Sequence, residues 1–221
     1  MNLTAELFPL AWHLAAVLGS VGAAVWVGWT APWRRLADEH QLHAVLAAAV
    51  ALSLLWSMKA GVYPGLNLHL LGAMACTLIF GPQLALLVLA LALAGVTLNG
   101  SLAWDAYAVN FLLMAVFPVF IGRAFFRLME HRLPHHFFVY IFINAFIGAA
   151  FVVLCEGALA SLCLYTAGAY PAELLLSDYL PFFLLLGFSE AWISGMVLTV
   201  LVVYYPEWVS SFDDSSYLSK K

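Results

Sequence analysis

Apolar residues run through the chain in long blocks, and the breaks between blocks are marked by charge or by Gly and Pro. A bilayer core of about 30 Å takes roughly 20 apolar residues in a helix. Blocks of that order lie at 7 to 29, 44 to 60, 66 to 80, 83 to 98, 107 to 122, 137 to 165 and 180 to 205. The pattern predicts about seven transmembrane segments in an all-α, polytopic membrane helix bundle. The third and fourth blocks are short and parted only by Gly81-Pro82, which predicts a helical hairpin with a tight buried turn, or a bent element. The first block follows no basic stretch and is too long for the apolar core of a cleaved signal peptide, so it reads as a span.

Composition agrees with a lipid-solvated chain. Hydrophobic residues make up 65% and charged residues 9%, with a mean hydropathy of +0.99. That excludes a secreted disulfide scaffold, a disordered tail and a nucleic-acid binder with a basic face. Cys76, Cys155 and Cys163 are widely spaced in apolar runs and read as small hydrophobes. The chain divides into a bundle over 1–206 and a short solvated cytoplasmic tail over 207–221.

Charge then orients the bundle. Arg34, Arg35, Arg123, Arg127, Arg132, Lys220 and Lys221 all fall on one side of a seven-span arrangement, and Lys59 can snorkel from the other. By the positive-inside rule the N-terminus is expected outside and the C-terminus inside. Trp12, Trp26, Trp29, Trp33, Trp56, Trp104, Trp192 and Trp208 mostly fall near span ends, as interfacial aromatic belts do.

Within the first span, Ala15, Gly19 and Ala23 recur every four positions. Such a strip lets two helix backbones approach, either inside the bundle or against a partner membrane subunit. Ionisable groups at membrane depth are costly and mark functional candidates. These are His13 in the first span, His69 at the outer start of the third, Glu156 in the sixth and Glu190 in the seventh. Each glutamate has small neighbours (Gly157 and Ala158; Ser189 and Ala191) that permit close helix contact. Two histidines at one depth on one side suit a late first-row metal, for which imidazole is a favoured ligand. His40, His43, His131, His135 and His136 flank the basic loops and read as interfacial. The sequence carries no GxGxxG, Walker A, HExxH, GxSxG or CxxCH pattern, so an embedded enzyme has no support.

The stretch GLNLHLLGAMACTLIFGP, residues 65 to 82, is more particular. It resembles the start of the third helix region in the substrate-binding membrane subunits of cobalt and nickel energy-coupling-factor transporters, the CbiM/NikM type. His69, Leu70, Gly72, Gly81 and Pro82 carry the likeness. Ala108, Asn110 and Met114 resemble that family's segment after its Gly-rich loop, and Glu190 with Pro206-Glu207 resembles its last helix. The resemblance implies seven spans, an external N-terminus, a bacterial inner membrane and uptake of nickel or cobalt. It also implies a transmembrane coupling subunit and paired ATPase subunits as partners. The family's metal is held by the N-terminal amine, a His at position 2 and the His of the His-Leu motif. Here these positions are Met1, Asn2 and His69, and His13 is the residue that could replace the missing imidazole. A scaffold or assembly subunit of a larger membrane complex, with the fold kept and the metal site lost, is the alternative expectation.

Overall fold

The computed structural model describes residues 2–213 and Tyr217. The first two apolar blocks form α1 (Leu10–Thr30) and α2 (Glu39–Ser57), the latter capped by the Asp38 side chain accepting from His40 N at 2.9 Å. A hairpin of β1 (Ala60–Tyr63) and β2 (Leu66–Leu68) and a short helix α3 (Ala73–Phe80) follow. The chain continues as α4 (Pro82–Leu98), α5 (Trp104–Arg132), α6 (Phe137–Thr166) and α7 (Phe182–Tyr204). Among the described residues, α1, α2, α5, α6 and α7 are long and apolar enough to cross a membrane. With 17 residues, α4 is at the lower limit for a span.

Two expectations change here. The block at 66 to 80 is not a continuous third span, because only its last eight residues are helical. Gly72 (φ 72°) and Gly81 (φ 80°) hold left-handed backbone that interrupts a helix on either side. Eight residues rise about 12 Å, well short of a bilayer core. The fold is also not wholly helical, since Ala60 pairs with Leu68 and Gly61 with Asn67 in the hairpin. Pro64-Gly65, with Gly65 at φ 77°, supplies its reversal.

Every residue of α3 is buried, and α4, α5, α6 and α7 enclose it. Outside this ring, α2 covers α4, and α1 leans on α5 and α4. Most of α1 faces outward, with Leu18 74% and Trp29 86% exposed, as suits a lipid-facing helix. Trp56, by contrast, is fully buried and not part of an interfacial belt. Antiparallel α6 and α7 meet through two glycine notches, Phe183 seated on Gly157 and Phe146 on Gly195. Gly157 thus makes the close contact, whereas Ala158 and Ser189 are exposed. A wide π-helical turn at Leu112–Val116 in α5 precedes Pro118, which has no N–H to donate.

Past α7 the chain turns back beneath α3. Ser210 N donates to Ile79 O (2.8 Å) and Ser211 N to Leu78 O (3.2 Å), so the tail satisfies carbonyls that the end of α3 leaves unpaired. Val209, Phe212 and Tyr217 are buried, and the Phe212 and Tyr217 rings pack on Tyr140. The expected solvated tail is therefore corrected over its described part, since its aromatic residues have a core to join. Lys220 and Lys221 lie outside the described residues.

Candidate metal centre

The N-terminal segment is threaded into the bundle. Asn2 and Leu3 are 1% and 0% exposed. Asn110, on α5, reads the Leu3 peptide from both sides: Leu3 N donates to Asn110 Oδ1 (2.9 Å), and Asn110 Nδ2 donates to Leu3 O (2.8 Å). The second amide hydrogen of Asn110 goes to Ala106 O at 2.9 Å. From the hairpin, Asn67 Nδ2 donates to Asn2 O at 3.3 Å. A carboxamide is suited to this task because it offers donor and acceptor side by side, as a neighbouring strand would. Replacing Asn110 by Ala should orphan both Leu3 groups at about 1–3 kcal/mol each. The check is amide exchange and proteolysis at the N-terminus, where Asn110→Ala should release the segment while α5 stays folded.

His69 arrives from the other side of the site. In β2, Leu66-Asn67-Leu68, alternation sends both leucines into the core and Asn67 to the other face, and His69 follows directly after the strand. His69 is 4% exposed. Its Nδ1 lies 2.8 Å from Leu70 O, a bond that requires a proton on Nδ1. In the neutral ring Nε2 then carries the lone pair, and it lies 3.2 Å from Asn2 Oδ1. A neutral ring is best met by the amide face of Asn2, an imidazolium by its oxygen. The Asn2 Nδ2 atom is buried without a hydrogen-bond partner among the described residues. Trp56 closes one side, its ring 5.2 Å from the imidazole and its Nε1 donating to Leu71 O at 3.2 Å.

Outside this pocket, a polar cavity of about 280 Å³ is lined in part by Asn2, Glu6, Asn67 and Asp105. The hairpin that carries His69 is tied down where it emerges. Tyr63 Oη donates to Asp178 (2.8 Å) and Tyr170 Oη to Pro64 O (2.6 Å). The Asp178 carboxylate, through that hydrogen bond first, holds the Tyr63 phenol above its ordinary pKa.

The remaining sequence candidates are placed as follows. Met1 lies outside the described residues. His13 is half-buried, its Nε2 3.0 Å from Ala5 O. Glu156 is buried, and its Oε1 has no hydrogen-bond partner among the described residues. Glu190 is buried and accepts from Leu71 N and Gly72 N, beside His69. Gly19 faces Leu112 of α5, and Ala15 borders an apolar cavity of about 490 Å³ between α1 and α5. Ala23 is half-buried on the same helix. No group of three or more His, Cys, Asp or Glu side chains among the described residues is placed to hold a metal ion. Sequence reasoning overlooked Asn67 and the Leu3 peptide, and took Trp56 for an interfacial residue. For Asn67 the signal was present in the alternation with Leu66 and Leu68.

Two solved structures share this architecture. One, described as a crystal structure of a truncated transition metal transporter, aligns with a TM-score of 0.72 at 19% identity over 92% of this chain and 99% of that one. The other, described as a crystal structure of a transition metal transporter, gives a TM-score of 0.76 at 19% identity, over 91% and 92%. Comparison with curated proteins returns no match. The family described as the CbiM cobalt uptake substrate-specific transmembrane region matches residues 2–208. A match of that extent, on a bundle whose buried N-terminal segment meets a buried histidine, places the chain in the CbiM family, the multi-pass, non-enzymatic substrate-binding part of transition-metal transporters that work with other membrane and ATPase subunits.

Proposed function

We propose that this protein is the substrate-binding membrane subunit of an energy-coupling-factor transporter, and that it captures divalent nickel or cobalt from outside the bacterial inner membrane. The carrying observation is the meeting of Asn2 and His69, 67 residues apart in sequence, at 3.2 Å in a buried pocket. The ligand set comprises the Met1 amine, Asn2 and the Nε2 of His69. Asn110 and Asn67 hold Leu3 and Asn2 in place, with Asn2 beside the imidazole. His13 would join only by giving up its contact with Ala5 O. A transmembrane coupling subunit and paired ATPases supply the energy; of the strip Ala15, Gly19 and Ala23 expected to dock a partner, Gly19 already meets Leu112 of the same bundle.

In this reading the N-terminus is outside and the C-terminus inside. A cysteine at Ala103→Cys, in the loop before α5, should label from the outside, and His131→Cys, near the inner end of α5, should not. Labelling in the reverse pattern would invert the topology. The functional test is uptake of radiolabelled nickel or cobalt by cells expressing the chain with coupling and ATPase subunits. Uptake that needs all components supports the reading, and none above background contradicts it.

A second reading has one observation in its favour. Asn2 supplies a weaker metal ligand than imidazole and already contacts the nitrogen that a metal would need. A membrane scaffold that kept the fold and lost the metal site would look this way.

A further inference from the structure

The most elaborate hydrogen bonding at the candidate centre surrounds the peptide groups just after His69. Leu70 O receives His69 Nδ1, and Leu71 O receives the Trp56 indole. The next two amides both point to one carboxylate on a distant helix. Glu190, on α7, accepts from Leu71 N through Oε2 at 2.8 Å and from Gly72 N through Oε1. Ser194, one turn further along α7, has its Oγ 3.5 Å from Oε1. These two N–H groups immediately precede α3, where a helix start leaves donors unpaired and favours negative charge. At Gly72 the backbone is left-handed, and an added Cβ would lie 2.5 Å from the Leu52 side chain, so α2 leaves no room for a side chain at this turn.

We propose that Glu190 is a positioning residue for His69: its two oxygens fix consecutive peptide planes after the imidazole and so set the direction of Nε2. This rests on the reading of His69 as a metal ligand. A carboxylate is required because both partners are donors. Gln offers one acceptor and one NH2, and the NH2 would face an N–H. The strut also ties the centre to α7, across 118 and 119 residues of sequence.

The test uses nickel alone on the purified full chain with a free N-terminus. Affinity, the ligand-field absorption of the bound ion and the unfolding temperature are compared for wild type, Glu190→Gln and Leu198→Ala. Leu198 is buried on α7 about two turns beyond Glu190 and serves as a destabilising control. Glu190→Gln should weaken binding about 10–100-fold, the usual effect of losing a group that orients a ligand. It should also shift the absorption band, while Leu198→Ala lowers the unfolding temperature and leaves the band in place. An unchanged affinity and band in Glu190→Gln would overturn the proposal. Amide exchange on the metal-free wild type keeps the strut testable if the variant does not fold or no nickel binds. Slow exchange at Leu71 and Gly72 supports it, and fast exchange overturns it. Failure of wild type to bind nickel, with those amides protected, would refute the metal reading rather than the strut.

Discussion

His69→Ala should abolish stoichiometric nickel or cobalt binding, with the bundle still folded. The side chain contributes the imidazole that meets Asn2 at hydrogen-bond distance, and its loss removes a ligand outright. The expected fall therefore exceeds the ~10–100-fold typical when only an orienting group is lost. The complementary change, Asn2→His, should strengthen binding by at least about tenfold, or about 1.4 kcal/mol. It replaces a carboxamide already beside His69 with a second imidazole, a better ligand for late first-row metals. Titration calorimetry and metal analysis on C-terminally tagged proteins check both. If Asn2→His gains nothing while His69→Ala costs nothing, the two side chains only pack.

The largest stability effect is expected at the contact of α6 with α7. A Cβ on Gly157 would lie 2.4 Å from the Phe183 ring, and Phe183 is fully buried. Gly157→Ala should therefore destabilise the bundle by about 1–3 kcal/mol, the ordinary cost of overpacking. Gly157→Leu should prevent folding. Trimming the opposing ring in Gly157→Ala with Phe183→Leu should recover part of the loss, so that the double variant falls short of the sum of the singles. Thermal unfolding in detergent measures all three, and strict additivity would show that the ring can move aside freely.

Much of the architecture was legible in the chain because lipid imposes one rule on every crossing helix: an apolar block of sufficient length. Five of the expected blocks correspond to helices that meet it. At 66 to 80 the rule failed for a physical reason. An apolar run buried inside protein has the same composition as one buried in lipid, so α3, wrapped by its neighbours, reads like a span. Gly81-Pro82 marked one end of α3, whereas the positive φ of Gly72 marked the other without a proline to announce it. Trp56 and the tail misled for a related reason. Aromatic residues near a span end can turn to the interface or to a core, and only the tertiary packing decides between them.

At the candidate centre, His69 stood out because an imidazole is rare in such an apolar run, and Asn67 was recoverable from its alternation with Leu66 and Leu68. Glu190 was conspicuous as an intramembrane carboxylate, but its two short hydrogen bonds come from backbone amides, which no side-chain pattern reveals. Asn110 was visible only through family likeness, since an isolated Asn in a helix more often bonds its own backbone.

Metal capture at the N-terminus is the central claim. Nickel titration of the chain with a free N-terminal amine, set beside the same chain acetylated there, tests it most directly. One equivalent bound by the free form and a sharp loss on acetylation is the predicted result. Equal binding by both forms, or binding by neither, would contradict it.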